Sequence, residues 1–296
     1  MIEWSIFSGR VGLLKEPPRS PGDWNEWASA FHQPVSFRVH HRWRESVRAI
    51  GRLDLSHKQA KGLLASVQLP HPAAHGFVRG RSTYSGALPH AGSKVVLSVD
   101  LKDFYNQIGF ERVAESIREK FDPAVSDWIE GVCFIDGRLP LGFRTSPVLS
   151  NIAFLSTDVR IAELATRRKV TYTRWVDDLS FSGELVNDDF LVELEALLVS
   201  EQWRLNTAKT RFMRRSPHVL GLYVGHDVER PFLPRWMKQR LLLETFYFAK
   251  HGSSHFDTKG VFSRTRLFGL VSYANSVDPE LAARLSSRIL DGSRRG

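Results

Sequence analysis

Apolar residues recur in short blocks whose periods differ, and the changes of period mark out the elements. Residues 95–99 are an apolar run ending in Asp100, the signature of a buried strand that delivers a carboxylate at its tip. Across 111–121, Val113, Ile117 and Phe121 recur at four-residue steps, which predicts an amphipathic helix. A longer helix is predicted over 147–168, with Ile152, Leu155, Val159 and Ala162 on one face and Pro147 in its first turn. Residues 170–183 alternate and are rich in Thr, Tyr, Val and Phe. They read as two strands joined at Val176, Asp177 and Asp178, with the acids at the turn.

Asp188 and Asp189 are expected to cap a helix carrying Leu191, Leu194 and Leu198, and a strand is expected at 219–224. Upstream, Pro17, Pro18 and Pro21 with Trp24 and Trp27 read as an extended lead-in followed by a short helix. The last third is helical and basic, and Trp236, Leu242 and Phe246 read as core positions of one of its helices. The order strand, helices, hairpin, helix, strand predicts an α+β domain around an antiparallel sheet, followed by a helical appendage.

Composition narrows the classes. A chain of 296 residues can bury one sizeable core or two small ones. No apolar run reaches the roughly 18 residues of a membrane-spanning helix, and Glu3 with no sustained apolar stretch speaks against a signal peptide. Cys133 is the only cysteine, which excludes a disulfide framework and a multi-cysteine zinc site and leads us to expect a reducing, cytoplasmic setting. His71 and His75 have helical spacing, but Pro72 between them argues against a zinc-binding helix.

The formal charge of +9 and a pI near 9.8 favour an anionic partner, nucleic acid being the commonest. Residues 235–296 hold 11 Lys/Arg against 5 Asp/Glu. A second basic cluster runs from Phe37 through Arg38, His40, His41, Arg42, Trp43 and Arg44 to Arg48 and Arg52. Both interleave cations with aromatics, as surfaces for sugar–phosphate and stacked bases do; a solvated basic face is the plainer alternative for any single Arg.

Asp100 at a strand end and Asp177–Asp178 at a hairpin turn are carboxylates from two places in the chain that one sheet edge can bring together. In-line phosphoryl displacement uses two divalent ions about 3.5–4 Å apart, and Mg²⁺ takes oxygen ligands for that purpose. Clustered anions repel unless cations join them. The plainer reading of an Asp-Asp pair is a turn that hydrogen-bonds its own backbone.

Ordered stretches decide between these readings. Residues 74–82 read Ala-His-Gly-Phe-Val-Arg-Gly-Arg-Ser and 87–90 Ala-Leu-Pro-His; 98–108 read Ser-Val-Asp-Leu-Lys-Asp-Phe-Tyr-Asn-Gln-Ile; 139–151 read Leu-Pro-Leu-Gly-Phe-Arg-Thr-Ser-Pro-Val-Leu-Ser-Asn. Then come Tyr-Thr-Arg-Trp-Val-Asp-Asp-Leu-Ser-Phe-Ser at 172–182, Asn-Thr-Ala-Lys-Thr at 206–210, Val-Leu-Gly-Leu at 219–222, and Phe-Gly-Leu-Val-Ser-Tyr at 268–273 followed by Asp278 and Pro279. In that order, over about 73–280, they resemble the reverse transcriptases, and within them the bacterial retron-type branch.

The resemblance implies a right-hand polymerase: fingers at 1–94 with 109–138, a palm of antiparallel sheet plus helices at 95–108 and 139–227, and a helical thumb at 228–296. It implies that Asp100, Asp177 and Asp178, with the Leu101 carbonyl, bind two Mg²⁺ ions, Mn²⁺ being an alternative. Arg79, Arg81, Asp103, Phe104, Tyr105, Leu141, Gly142 and Lys209 are then expected at the incoming nucleotide. Among these, the Asp103 and Phe104 amides would form an anion nest, and Tyr105 a steric gate against a ribose 2′-hydroxyl. For Phe104 and Tyr105 a core role stays open, as does a surface role for Lys209. Arg38, Arg42, Arg44, Trp175, Arg235 and Lys238 are the expected nucleic-acid contacts.

The partners implied are a structured non-coding RNA serving as template and primer, its DNA product, deoxynucleotides and an effector or toxin protein in anti-phage defence, with no membrane. Three departures stand out. Leu141 occupies a place where the family usually has Gln, Trp175-Val176 replaces the usual Tyr-Ala, and residues 1–70 lack the family's fingers pattern. Two further functions stay open: a defence-associated or abortive-infection polymerase using another RNA or no template, which the Leu141 change leaves possible, and an RNA-binding scaffold for a toxin or effector partner.

Overall fold

The computed structural model describes residues 20–39, 42–257 and 260–294. Pro17 and Pro18 of the lead-in and His40 and His41 of the basic cluster lie outside the described residues, as does the Arg42 side chain.

Helix α1 (Pro21–Ser29) starts at Ser20, whose side chain accepts from the Asp23 amide, and it buries Trp24 and Ala28. Strands β1 (His32–Val39) and β2 (Arg42–Ala49) pair as an antiparallel ribbon. Its outer part leaves Phe37 and Trp43 exposed beside Arg38 and Arg44. Helix α2 (Gly51–Leu64) and the short α3 (Thr83–Ala87) lead to strand β3 (Val96–Asp100), buried as the apolar run predicts.

The helix expected over 111–121 is shorter: α4 covers only Ala114–Arg118, although Val113, Ile117 and Phe121 are all buried. Helix α5 (Pro123–Cys133) follows, capped by the Asp122 side chain on the Val125 amide. The single helix expected over 147–168 is two, α6 (Ser146–Ala153) and α7 (Leu155–Arg167). The break falls at Phe154, which is fully buried against Phe104 and Trp203. It resets the helical phase, so Val159 is 43% exposed, while Thr157, Asp158, Ile161 and Leu164 face inward.

The predicted hairpin is present as β4 (Thr171–Trp175) and β5 (Asp178–Ser182), turning through Val176 and Asp177. Helix α8 (Asp188–Ser200) buries Phe190, Leu194 and Leu198. Its cap is Asn187, whose side chain accepts from the Phe190 amide, and Asp188 and Asp189 lie in the first turn, where the helix dipole favours acids. Strand β6 (Arg211–Met213) completes an antiparallel sheet of order β4-β5-β3-β6. In place of one strand at 219–224, β7 (His218–Val219) and β8 (Leu222–Tyr223) form a minimal hairpin, because Leu220 and Gly221 both take positive φ.

The C-terminal part is α9 (Arg235–His251), α10 (Arg264–Asn275) and α11 (Pro279–Ser293). The sequence reading of Trp236 and Phe246 as core is corrected: they are 64% and 52% exposed, and Leu241, Thr245 and Phe248 face inward instead. A first apolar cluster joins α1, α2 and α4–α8 to the sheet, and a second joins α9–α11 to Ala87 of α3, Val219, Leu222, Val224 and the first residue of β3, Val96. No helix among the described residues is long and apolar enough to cross a membrane.

Candidate functional site

The sheet register brings the acids together. Asp100, the last residue of β3, pairs directly with Asp178, the first of β5, and the Leu101 amide donates to the Asp177 carbonyl at 3.0 Å. Asp177 therefore sits in the turn just beyond the paired residues, and its own backbone is tied to the residue that follows Asp100. Burial raises both carboxyl pKa values, with the charge of Asp100 adding to the shift at Asp177 and the charges of Asp177 and Asp100 raising that of Asp178 to about 6.

Asp100 is held differently. Lys209 Nζ reaches its Oδ1 at 2.7 Å and Asn206 Nδ2 its Oδ2 at 3.0 Å. Among the described residues no three His, Cys, Asp or Glu side chains are drawn together tightly enough to hold an ion as they stand. The donor set nevertheless fits a hard divalent cation: it is all oxygen, burial and neighbouring acids disfavour the ionised form of two of its carboxylates, which a bound cation would relieve, and the third already attracts an ammonium.

A cavity of about 350 Å³ is lined by Lys61, Phe77, Tyr105, Leu141, Gly142 and Val148, among others, and Tyr105, which feels the Asp177 charge, links it to the acids. Tyr105 is half-buried on one wall, its hydroxyl pKa pushed up to about 12 by burial and by the Asp177 charge. Phe104 turns the other way into the core, beneath Trp203 and Phe154. Asp103 has φ +47 and Phe104 is right-handed helical, so successive amides turn to one side as in an anion nest.

Leu141, half exposed, is anchored by its carbonyl, which accepts from the Val47 amide at 3.0 Å and from Ser46 Oγ at 2.8 Å. Gly142 has φ +110, and a Cβ there would fall 2.2 Å from Ser46 Oγ and 2.7 Å from the Val47 carbonyl oxygen. The β1–β2 ribbon thus docks on the floor of this cavity, and the positive charge of Arg44 is felt at Asp177.

The other expected residues are placed as follows. Arg79 is exposed. Arg81 directs Nη1 to the carbonyls of Pro72 and Ala74, closing a local loop rather than pointing wholly outward. Arg38, Arg44 and Arg235 are exposed, Arg42 opens β2, and Trp175 is half-buried opposite Asp178. Lys238 is engaged inside the C-terminal helices, 3.1 Å from an Asp278 oxygen and 5.0 Å from the Phe232 ring centre. His75 is buried, and its Nδ1 lies 2.9 Å from Ser85 Oγ.

Phe77, Arg174 and Asn206 fall within stretches that carry the resemblance but receive no role from it, and Lys61 and Asp158 fall outside all of them. Lys61 lies on an otherwise ordinary helix, and Arg174 and Asp158 are charged residues whose burial only the folded chain reveals.

Residues 40–224 match the family model described as reverse transcriptase (RNA-dependent DNA polymerase). The chain is 34% identical over 274 residues to the retron Mx65 reverse transcriptase of Myxococcus xanthus, covering 80% of this chain and 59% of that one. It is 29% identical to the retron Ec73 reverse transcriptase of Escherichia coli, covering 74% of each. Among solved structures, a foamy viral protease-reverse transcriptase in complex with double-stranded DNA is similar at TM-score 0.46 and 15% identity, over 89% of this chain and 43% of that one. The chain thus spans 59% of the length of the Mx65 relative.

Proposed function

The chain belongs to the reverse transcriptase family and has the fold of a right-hand polymerase, and from that premise we propose that it is an RNA-directed DNA polymerase of the retron kind. The observation that carries this reading is the register pairing Asp100 with Asp178, acids that Tyr105 links to the cavity it lines with Leu141.

In this reading Asp100, Asp177 and Asp178, with the Leu101 carbonyl, hold two Mg²⁺ ions, which when bound supply Lewis-acid stabilisation of the attacking and leaving oxygens. The chain's own groups orient the rest. The Asp103 and Phe104 amides, Arg79, the free face of Arg81 and Lys209 receive the triphosphate. Tyr105 crowds the sugar 2′ position, and Leu141 and Gly142 form the floor under the base. Arg38, Arg42, Arg44, Trp175, Arg235 and Lys238 line the path of template and primer. Fingers at 1–94 with 109–138, a palm at 95–108 and 139–227, and a thumb at 228–296 complete the assignment.

The template and primer would be a structured non-coding RNA, the product its DNA copy, and the setting cytoplasmic anti-phage defence with an effector or toxin protein as partner. One residue favours a second reading, a defence polymerase using another RNA or no template. Leu141 offers no amide to seat a nucleotide against a templating base.

The test is to isolate the protein with its accompanying nucleic acid, sequence that nucleic acid, and supply labelled dNTPs and Mg²⁺ to wild type and to Asp177→Asn/Asp178→Asn. A discrete RNA with DNA extended from it, absent in the variant, is the expected result. Synthesis without a complementary RNA supports the second reading, and bound RNA without synthesis supports a scaffold for a toxin.

A further inference from the structure

Arg174, on β4, is 1% exposed, and its partner Asp158, on α7, is 0% exposed. The guanidinium forks onto that carboxylate, Nε to Oδ1 at 2.8 Å and Nη2 to Oδ2 at 2.6 Å, and Tyr172 donates its hydroxyl to the same Oδ1 at 2.6 Å. A buried pair of this kind is weak as a source of stability, because desolvation offsets most of the attraction. Its remaining bonds indicate what else it does. Nη1 donates to the Val176 carbonyl at 3.0 Å, and Nη2 also donates to Asn151 Oδ1 at 3.1 Å.

Val176 is the residue immediately before Asp177, and it has φ +61. A β-branched side chain adopts that conformation only where its surroundings impose it. Those surroundings close from three sides. Arg174 holds the Val176 carbonyl. Gly76 abuts the Val176 amide so closely that a Cβ on it would lie 2.8 Å from that nitrogen. Asn151 links the two by donating to the Gly76 carbonyl at 3.1 Å while accepting from Arg174. The backbone of Arg174 is itself fixed, its amide to Ala73 at 2.7 Å and its carbonyl to the His75 amide at 2.8 Å.

We propose that Arg174 is a positioning residue for nucleotidyl transfer: its guanidinium, held by Asp158 and Asn151, imposes the left-handed turn at Val176 that aims the Asp177 carboxylate into the site. The inference rests on the reading of Asp100, Asp177 and Asp178 as metal-binding residues. It assigns to one buried cation the task of presenting two adjacent carboxylates to the same side, which an ordinary strand would send to opposite faces.

Arg174→Lys keeps the charge opposite Asp158, but one ammonium cannot fork onto Asp158 and reach the Val176 carbonyl as well. Three quantities are compared with wild type: the melting temperature, Mn²⁺ binding followed by electron paramagnetic resonance without nucleotide, and primer extension on a poly(rA)/oligo(dT) duplex with varied Mg²⁺ and dTTP. Mn²⁺ binding is expected to weaken about tenfold, as for loss of an outer partner of a metal ligand. The kcat is expected to fall by up to about a hundredfold, with KM for dTTP nearly unchanged. Adding Val176→Gly, which adopts positive φ without strain, is expected to restore part of the Mn²⁺ affinity.

Wild-type Mn²⁺ affinity and kcat in Arg174→Lys overturn the proposal. So does a loss that Val176→Gly leaves unchanged, since it would make Arg174 a core ion pair alone. If Arg174→Lys does not fold, Asn151→Ser carries the test: it leaves the Arg174–Asp158 fork intact and is expected to weaken Mn²⁺ binding in the same direction, and unaltered binding there overturns the proposal. A wild type that binds Mn²⁺ yet extends no primer refutes the polymerase reading, while the Mn²⁺ comparison still decides the role of Arg174.

Discussion

Lys209 Nζ lies 2.7 Å from Oδ1 of Asp100, so an ammonium occupies the first of the three carboxylates proposed to bind metal. Metal binding at Asp100 requires this ion pair to open, which would release Lys209 toward the triphosphate. Lys209→Met is therefore expected to bind Mn²⁺ slightly more tightly, by about threefold or less, because exposed ion pairs are weak. Its kcat is expected to fall, by up to about a hundredfold if the ammonium protonates the leaving pyrophosphate. Calorimetric Mn²⁺ titration and single-turnover extension check the two directions, and a variant that moves neither removes Lys209 from the site.

The Asp178 carboxyl, raised from 3.8 to about 6, makes the site a cost to the fold. The folded state prefers the protonated form, so this contribution to stability is present below pH 3.8 and is lost as pH rises from 3.8 through about 6. Asp178→Asn stays neutral throughout. In chelator at pH 7 it is expected to be more stable than wild type by on the order of 2 kcal/mol. That gain is expected to vanish below pH 3.8 and to shrink when Mg²⁺ is added. Denaturant unfolding across pH measures it; equal stability at pH 7 would contradict the raised pKa. Wild-type extension is expected to weaken as pH falls through about 6, where protons compete with the metal for Asp178.

Tyr105 forms one wall of the cavity that Leu141 and Gly142 floor. Tyr105→Val opens space next to a sugar 2′-hydroxyl, and ribonucleotide incorporation relative to deoxynucleotide is expected to rise by about tenfold to a hundredfold. Competition assays with paired rNTP and dNTP substrates read this ratio. An unchanged ratio returns Tyr105 to a core role beside Phe104.

Gly142→Ala would drive a methyl into Ser46 and the Val47 carbonyl at a φ of +110. The β1–β2 ribbon must then lift from the cavity floor. We expect a stability loss of about 1–3 kcal/mol. We also expect KM for dNTPs to rise more than kcat falls, because the floor binds substrate in ground and transition states alike. Thermal unfolding and steady-state extension separate the two effects, and an intact KM would uncouple the ribbon from the nucleotide cavity.

Much of this architecture is local and could be read in order along the chain. The apolar run into Asp100, the alternation through 170–183 and the acids at its turn depend on neighbours one to four residues apart, and β3, β4 and β5 form where expected. The failures over 147–168 and in α9 share a cause: a contact distant in sequence that changes a local rule. Phe154 breaks the helix expected over 147–168 because its ring packs on Phe104 and Trp203. Asp158 faces inward, and Val159 outward, because a buried guanidinium waits on β4. Trp236 and Phe246 are hydrophobic yet exposed because α10 and α11 pack on the opposite side of α9, against Leu241 and Phe248.

The chemistry of the chain, its acids, its basic clusters and the order of its motifs, is set by residue type and spacing, which need no fold to be recognised. How that chemistry is arranged is set by packing. Lys209 meets Asp100 across 109 residues and Arg174 meets Asp158 across a sheet-to-helix contact, and no period along the chain marks either pair. A charged residue reads as solvent-facing until the burial of its surroundings forces it to find a partner, and that burial exists only once the sheet and helices have closed over it.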